Sequence, residues 1–410
     1  YKPSKFIITG KTNSKHKFGK IKQLAQISRD ARKLVTGSAY ASATWGHQAS
    51  ALSDSHILDL ERSALASTGL KPAGRCRTFA LLAVFGLQGS PKARMIRETI
   101  SSWILLLKNM SPKVLVQVNI VWIKIVNHLK QDLRVHQVKG FLSNIIYILL
   151  KAGWNPLTLN SWIEPDCSLW QISNENISPN VAAAALIQSF FNQDLVRASK
   201  HYNGKGVEQG IDVENTLRTF RNIKTKSQHN YQCKCALETV IAACCWSAQR
   251  IHDIKPEVSN ICSRCGIDAE TDLHTFWSCP ANAGIEDECV TNTQELISQA
   301  ESGSDIYPCL WLRGILPACL TYIGSVYLPH DETFITHVEK CVSPDDIKWT
   351  SGTNYGDSSG GVHTDHKILR RVGCSVVSCD PTGNLKYGAH FNLPGNIQTV
   401  ARGELFALVQ

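Results

Sequence analysis

Four residues in the pattern Cys262-x2-Cys265-x8-His274-x4-Cys279 have the types and spacing of a closed zinc site. Zinc prefers four ligands in a tetrahedron, and three thiolates with one imidazole supply them. Two cysteines separated by two residues, with Gly266 directly after, suit a tight turn that offers both sulfurs to one ion. His274 and Cys279 are spaced so that one short helix brings both to the same side. No open coordination position or neighbouring general base is evident, so the expected role is structural, with the metal supplying folding energy that so small a segment lacks. The competing reading is a set of unpaired core cysteines and a surface histidine; within the zinc reading, Cys289 is a substitute ligand. Cys233, Cys235, Cys244 and Cys245 lack histidines at matching distances and are read as core.

The second candidate is a pair of acids, Asp357 and Glu404. A strand-borne Asp facing a helix-borne Glu is the arrangement that two-metal nucleases use: hard carboxylate oxygens hold Mg2+, which activates water and stabilises the departing oxygen. Taken alone, two acids so far apart in sequence are solvated surface groups, and only the ordered pattern around them argues otherwise.

That pattern predicts three successive strands beginning at Tyr355, at Arg370-Arg371 and at Leu385, with Asp380-Pro-Thr-Gly383 as a hairpin connection. A helix follows from about Thr399, which caps it, with Leu405 and Leu408 turned toward the sheet. Asp365 is read as a loop residue before Arg370. Upstream the texture is mostly helical. Apolar residues recur through Ile21, Leu24, Ile27, Ala31 and Leu34, and Gly37 breaks the pattern. Ser53 or Asp54 caps a second helix that ends near Gly69, and Pro112 breaks the helical run from Ile96 to Leu150. Trp103, Leu106, Val116, Ile120, Ile123 and Leu129 are the expected core of that run. Residues 153–178 read as irregular or as short strands, and Gly204, Gly206 and Gly210 mark a loop between two further helices.

Composition fits globular protein, with 43% hydrophobic and 19% charged residues. The net charge of +9 is unevenly spread: ten Lys or Arg precede Val35, opposed only by Asp30. That density suits either a polyanion or a solvated terminus. The 15 cysteines are odd in number and no secretory signal is visible, so reduced thiols are expected, several of them (Cys244, Cys245, Cys319, Cys374) in apolar settings. Tyr1 in place of an initiator Met suggests a start inside a longer reading frame. No membrane partner is expected, because a span needs about 20 apolar residues in a row, and Ile306–Leu328 is interrupted by Pro308, Arg313 and Pro317.

The C-terminal pattern resembles the first half of a type 1 ribonuclease H domain, as carried by non-LTR retrotransposon reverse transcriptase polyproteins. In that family an Asp in an Asp-Gly-Ser-Gly-like stretch ends the first strand, and a Glu sits in a helix reading Thr-Val-x-Arg-x-Glu-Leu-x-Ala-Leu. Here the helix is Thr399-Val-Ala-Arg-Gly-Glu404-Leu-Phe-Ala-Leu408. Asp357-Ser-Ser-Gly-Gly361 and Val372-Gly-Cys-Ser-Val-Val377 match with substitutions: Ser358 stands for the usual Gly, and Cys374 and Ser375 for an aromatic and Gly. The resemblance implies that Asp357 and Glu404 are catalytic, Mg2+-binding carboxylates. The family's remaining acidic ligands lie on later elements, so no cleavage is expected from this chain alone.

Looser motifs in the same order extend the resemblance over most of the chain: Ala31-Arg-Lys-Leu34, Ala43-Thr-Trp-Gly-His47, Gly153-Trp-Asn-Pro156, Gly206-Val-Glu-Gln-Gly-Ile-Asp212 and Leu310-Trp-Leu-Arg-Gly314. The implied organisation is a thumb-like helical region after the polymerase palm (1–110), a helical connecting region (111–255), a zinc knuckle (256–300), a linker (301–345) and the N-terminal half of a ribonuclease H-like domain (346–410). The expected fold is therefore mainly α, with a small zinc knuckle and a C-terminal partial α/β unit of three antiparallel strands plus one helix. No Tyr-x-Asp-Asp polymerase motif is present. An RNA–DNA hybrid or the element's own RNA is the expected partner, in an intracellular, nuclear setting. Its phosphates would be held by Lys17, Lys20, Lys22, Arg29, Arg32, Lys33, Arg370 and Arg371. The alternatives are a non-catalytic zinc-dependent nucleic-acid-binding module and a decayed element.

Overall fold

The computed structural model describes residues 5–172, 178–223, 227–321, 332–336, 353–361, 364, 370–394 and 398–409. The chain divides into two units, Tyr1–Cys319 and Leu320–Gln410. It is mostly helical, with two small antiparallel sheets. Among the described residues no helix is long and apolar enough to cross a membrane.

Local signals set most helix boundaries in the first unit. The helix Lys5–Leu24 buries Phe18 and Ile21. It ends before Ser28 rather than at Gly37, which lies inside a wide turn, Val35–Ala39, continuous with Tyr40–Ala43. Ser53 caps Asp54–Ala66 by accepting from His56 N at 3.3 Å. Pro91, Pro112 and Pro179 each occupy the first helical position, where the missing N–H costs nothing. Gly206 at φ +104° faces Cys309 and Tyr307 so closely that an added Cβ would lie 2.8 Å from Sγ. That loop holds the 309–317 segment, where Asp212 N donates to Leu316 O at 2.9 Å.

The largest core joins the helices Pro91–Lys108, Pro112–Gln131, Phe141–Lys151 and Pro179–Ala198 to a small antiparallel sheet, β1 (Asn155–Thr158), β2 (Ser161–Ile163) and β3 (Leu169–Gln171). Trp103 stacks on Trp122 with centroids 5.7 Å apart. The Trp122 indole donates to Pro156 O at 3.3 Å, tying helix to sheet. Trp103 and Leu129 are buried as expected, but Leu106, Val116, Ile120 and Ile123 are exposed. Trp122, Val126 and Leu129 face inward instead. The cause for the three on this helix is that apolar residues occupy more than one of its faces, so periodicity alone did not select the buried one. Of the cysteines expected in apolar settings, Cys244 and Cys374 are buried, Cys245 is half-buried and Cys319 is exposed.

The second unit is a four-stranded antiparallel sheet in the order β4-β7-β6-β5: β4 is Glu332–Thr336, β5 Thr353–Ser359, β6 Gly373–Cys379 and β7 Leu385–Asn392. The last three are the predicted strands, whereas β4 falls in the expected linker. Asp380 closes the β6–β7 hairpin, its Oδ1 accepting from Thr382 N and Asn384 N at 2.9 Å each. Thr399 caps the helix Val400–Val409 by accepting from Arg402 N at 3.3 Å. Leu405 and Leu408 are exposed, contrary to expectation, while Gly403 and Ala407 are buried. Close packing decides the helix rotation: a Cβ at Gly403 would lie 2.8 Å from Ser358 Cβ, so only the small-residue face fits against the sheet.

Candidate metal centre and acidic pair

Residues 262–282 bury no aliphatic or aromatic side chain; the buried members are Cys262, Asp272, His274, Cys279 and Asn282. The interior of this segment is therefore its ligand set. Gly266, at φ +69°, turns the chain so that its N–H meets Cys262 O at 2.8 Å, which brings Cys262 and Cys265 round one point. A single wide helical turn, His274–Ser278, closes with Cys279 N donating to His274 O at 2.8 Å and brings the other two ligands together. Cys262 Sγ and Cys279 Sγ are 3.9 Å apart, and Cys265 Sγ is 3.4 Å from His274 Nε2. All four ligand atoms lie within 4.8 Å of one another. A regular tetrahedron with Zn–S bonds of ~2.3 Å has edges of about 3.8 Å, so these spacings can hold a metal ion of that size.

The surroundings close the site. Cys262 is fully buried, Cys279 and His274 nearly so, and Cys265 half-buried. Arg264 bridges the loops, donating to Asn282 Oδ1 and Thr275 O at 2.8 Å each. The N–H of Cys265 holds the Cys262 thiol down at about 6, whereas burial pushes Cys279 up. Cys262 is thus largely thiolate at neutral pH and ready to bind metal. Metal must displace the protons of these thiols, so the apparent metal affinity is expected to weaken steadily as the pH falls. Competition with a chromophoric chelator at several pH values reads this; an affinity that does not change with pH contradicts it.

Contacts outside the motif anchor the cluster, and spacing did not reveal them. Trp277 donates to Trp311 O at 2.7 Å, and Asn203 donates to buried Asp272 at 2.8 Å. Burial raises the Asp272 carboxyl. Cys289 stays outside the ligand group and is exposed. Cys233 and Cys235 are half-buried rather than core, and Cys233 Sγ is 3.4 Å from His229 Nε2. That His-x3-Cys pair on one helix face escaped the spacing argument, but among the described residues no third ligand joins it.

In the second unit, the Ser358 N–H lies 2.8 Å from Asp357 Oδ1 and 3.3 Å from Glu404 Oε1. The Ser358 hydroxyl donates to Val400 O at 2.8 Å and sits 3.3 Å from the same Glu404 oxygen. One residue of β5 thus brings both acids together, a role that sequence had not assigned to Ser358. Asp357 is exposed and Glu404 half-buried. Among the described residues no third Asp, Glu, His or Cys completes a cluster with them, and Asp365 lies outside the described residues.

The basic candidates are dispersed in role. Lys20 and Lys22 are exposed, Lys17 donates to Ser42 Oγ at 2.6 Å, and Lys33 pairs with Asp30 at 3.0 Å in solvent. Arg32 pairs with the buried Glu238 at 2.7 Å. The side chain of Arg29 lies outside the described residues. Arg370 donates to Thr364 O and Arg371 to Arg370 O, at 2.6 and 2.8 Å. Between Asp253 and Glu288 eight acids face only Lys255 and Arg264, so the cluster region is acidic.

No family model, curated protein or solved structure matches the chain.

Proposed function

We propose that this chain is a nucleic-acid-binding part of a retrotransposon reverse transcriptase/ribonuclease H polyprotein, acting in the nucleus on RNA–DNA hybrid or element RNA. The observation that carries this reading is the meeting of Asp357 and Glu404 at the Ser358 amide, on a strand and a helix in the predicted order. The pair would hold one side of a Mg2+ ion, which in a complete family member supplies the Lewis-acid chemistry of hybrid cleavage. Two carboxylates without a third among the described residues lead us to expect binding without cleavage here.

Zinc is the ion best suited to Cys262, Cys265, His274 and Cys279, with a structural role. The acidity around this cluster disfavours a second reading in which the knuckle itself grips phosphates. The grip falls instead to the basic N-terminal helix, where Lys20 and Lys22 face solvent.

Fluorescence anisotropy with an 18-base-pair RNA–DNA hybrid tests this over a range of salt. Each phosphate contact contributes about 0.9 to the slope of log affinity against log salt. Replacing Lys20 and Lys22 together by Gln is expected to weaken binding of any sequence and to lower that slope by roughly 1–2. Affinity that ignores salt, or a double variant that binds as the parent does, removes the proposal.

A further inference from the structure

The helix Pro112–Gln131 buries Trp122, Val126 and Leu129, yet it carries aliphatic side chains on its solvent face as well. Val116, Ile120 and Ile123 are 61, 46 and 45% exposed. Their spacing of four and then three residues is that of the a and d positions of a heptad, so the three form one stripe along the helix. The next positions of the same repeat are the exposed Lys113, Asn127 and Lys130, which give the apolar stripe polar ends. On one edge of the stripe the helix turns into the protein, where Asn119 Oδ1 accepts from Leu159 N at 3.3 Å. Exposed Gln117 and Lys124 run along the other edge.

Charge along this stretch has one sign. Between Glu98 and Asp132 the chain holds Lys108, Lys113, Lys124 and Lys130 and no acid. The acids that bound it are engaged elsewhere. Glu98 Oε2 lies 3.3 Å from the Tyr40 hydroxyl and 3.5 Å from His47 Nε2. Asp132 accepts from Arg134 at 2.7 Å and from Gln137 at 2.8 Å. The next acid along the chain, Glu164, accepts from the Trp170 indole at 2.9 Å. Among the described residues neither Lys113 nor Lys124 forms an ion pair.

Together, spacing and charge narrow the class of partner. An exposed apolar stripe at heptad spacing suits one helix laid along it, with its own a and d residues between these three. Nucleic acid would gain from the lysines alone and leave the aliphatic stripe facing phosphates. A flat lipid surface would meet the whole solvent face, whose middle is occupied by Lys113 and Lys124, between the stripe and the separate pair Val114 and Val121. Both ammonium groups would then be pressed into the apolar layer. A second copy related by a two-fold axis would bring identical lysines together with no acid between them. A partner helix with acidic flanks meets both demands.

We propose that the stripe Val116, Ile120 and Ile123 docks one acidic amphipathic helix of a partner protein. The partner's apolar seam covers the three aliphatic side chains, and its Asp or Glu residues pair with Lys124 on the open edge and Lys113 at the end. The nucleic-acid grip lies on a different helix, so either reading can fail without the other.

The probe is a fluorescein-labelled helical peptide of about three heptads, with Leu at a and d and Glu at the flanking positions. Two further peptides accompany it: one with Lys in place of Glu, and one of the same composition with the heptad order scrambled. Anisotropy with the full chain is expected to show saturable binding of the Glu peptide, at least ~10-fold tighter than either of the others. Replacing Ile120 and Ile123 together by Ser is expected to weaken it at least ~10-fold, because each loses most of an apolar contact. Val121→Ser, on the same helix and equally exposed but outside the stripe, should bind as the parent does. Lys124→Glu should weaken the Glu peptide about 3-fold and tighten the Lys peptide. All four positions are exposed, so helical circular dichroism should match the parent's in every variant. Equal affinity for the three peptides, binding unmoved by the Ile120 and Ile123 changes, or an equal loss in Val121→Ser overturns the proposal. So does a parent chain that, through Ile120 and Ile123, either dimerises in light scattering or sediments with phosphatidylserine vesicles.

Discussion

Cys279→Ser is expected to strip the metal from the Cys/His cluster and to unfold residues 262–282 while the rest of the first unit stays folded. Cys279 is 3% exposed and its sulfur lies 3.9 Å from that of Cys262, so a serine there offers only a poor, displaced oxygen. Structural zinc in finger peptides contributes an apparent ~10–16 kcal/mol at neutral pH, and that binding energy is folding energy. The effect is large here because this segment has no buried apolar side chain to fall back on. Its outside anchors, Trp277 on Trp311 and Asn203 on Asp272, cannot replace the missing centre. The three main helical cores contain none of these residues and should persist. Metal analysis should find about one zinc per parent chain and almost none in the variant, and trypsin should cut the variant at Arg264. Cys289→Ser, altering an exposed thiol outside the cluster, serves as control and should keep its zinc. A Cys279→Ser protein with full metal content contradicts the assignment.

The second large effect is in packing. Trp122→Ala is expected to destabilise the first unit by about 3–5 kcal/mol, the range for emptying a buried aromatic site. Trp122 is fully buried, stacked on Trp103 and hydrogen-bonded to Pro156 O, so its removal leaves a cavity and an unpaired carbonyl together. Against a total stability of roughly 5–15 kcal/mol, that is a substantial share. Ile120→Ala, two residues away but 46% exposed, should cost well under about 1 kcal/mol. Urea denaturation of both variants measures the contrast. Equal losses would mean that the helix Pro112–Gln131 presents a different face to the core.

That contrast also shows where sequence reading stopped. Pro112 announced the start of the helix, but Val114, Val116, Ile120, Val121 and Ile123 are as apolar as the inward Trp122 and Val126, so periodicity did not fix the rotation. The same ambiguity misplaced Leu405 and Leu408, because close approach to Ser358 selects the Gly403–Ala407 face, and that constraint exists only once sheet and helix meet. Hairpin chemistry was local and therefore legible: Asp380 makes the turn that its type and position imply. So were the four cluster ligands, whose spacing already encodes a turn and one helical turn. Long-range partnerships were not legible. Nothing in the basic run marks Arg32 as the partner of Glu238, and β4 gained its place from pairing with β7.

The claim on which the functional reading rests is that Asp357 and Glu404 form one cation-binding edge. Mn2+ titrated into the isotopically labelled full chain reads this directly, because a bound paramagnetic ion broadens nearby amide signals. The account predicts early, selective broadening of Ser358, whose N–H lies within 3.3 Å of both carboxylates, and its loss in Glu404→Gln and in Asp357→Asn. A Ser358 signal that stays sharp, or one that broadens equally in both variants, contradicts it.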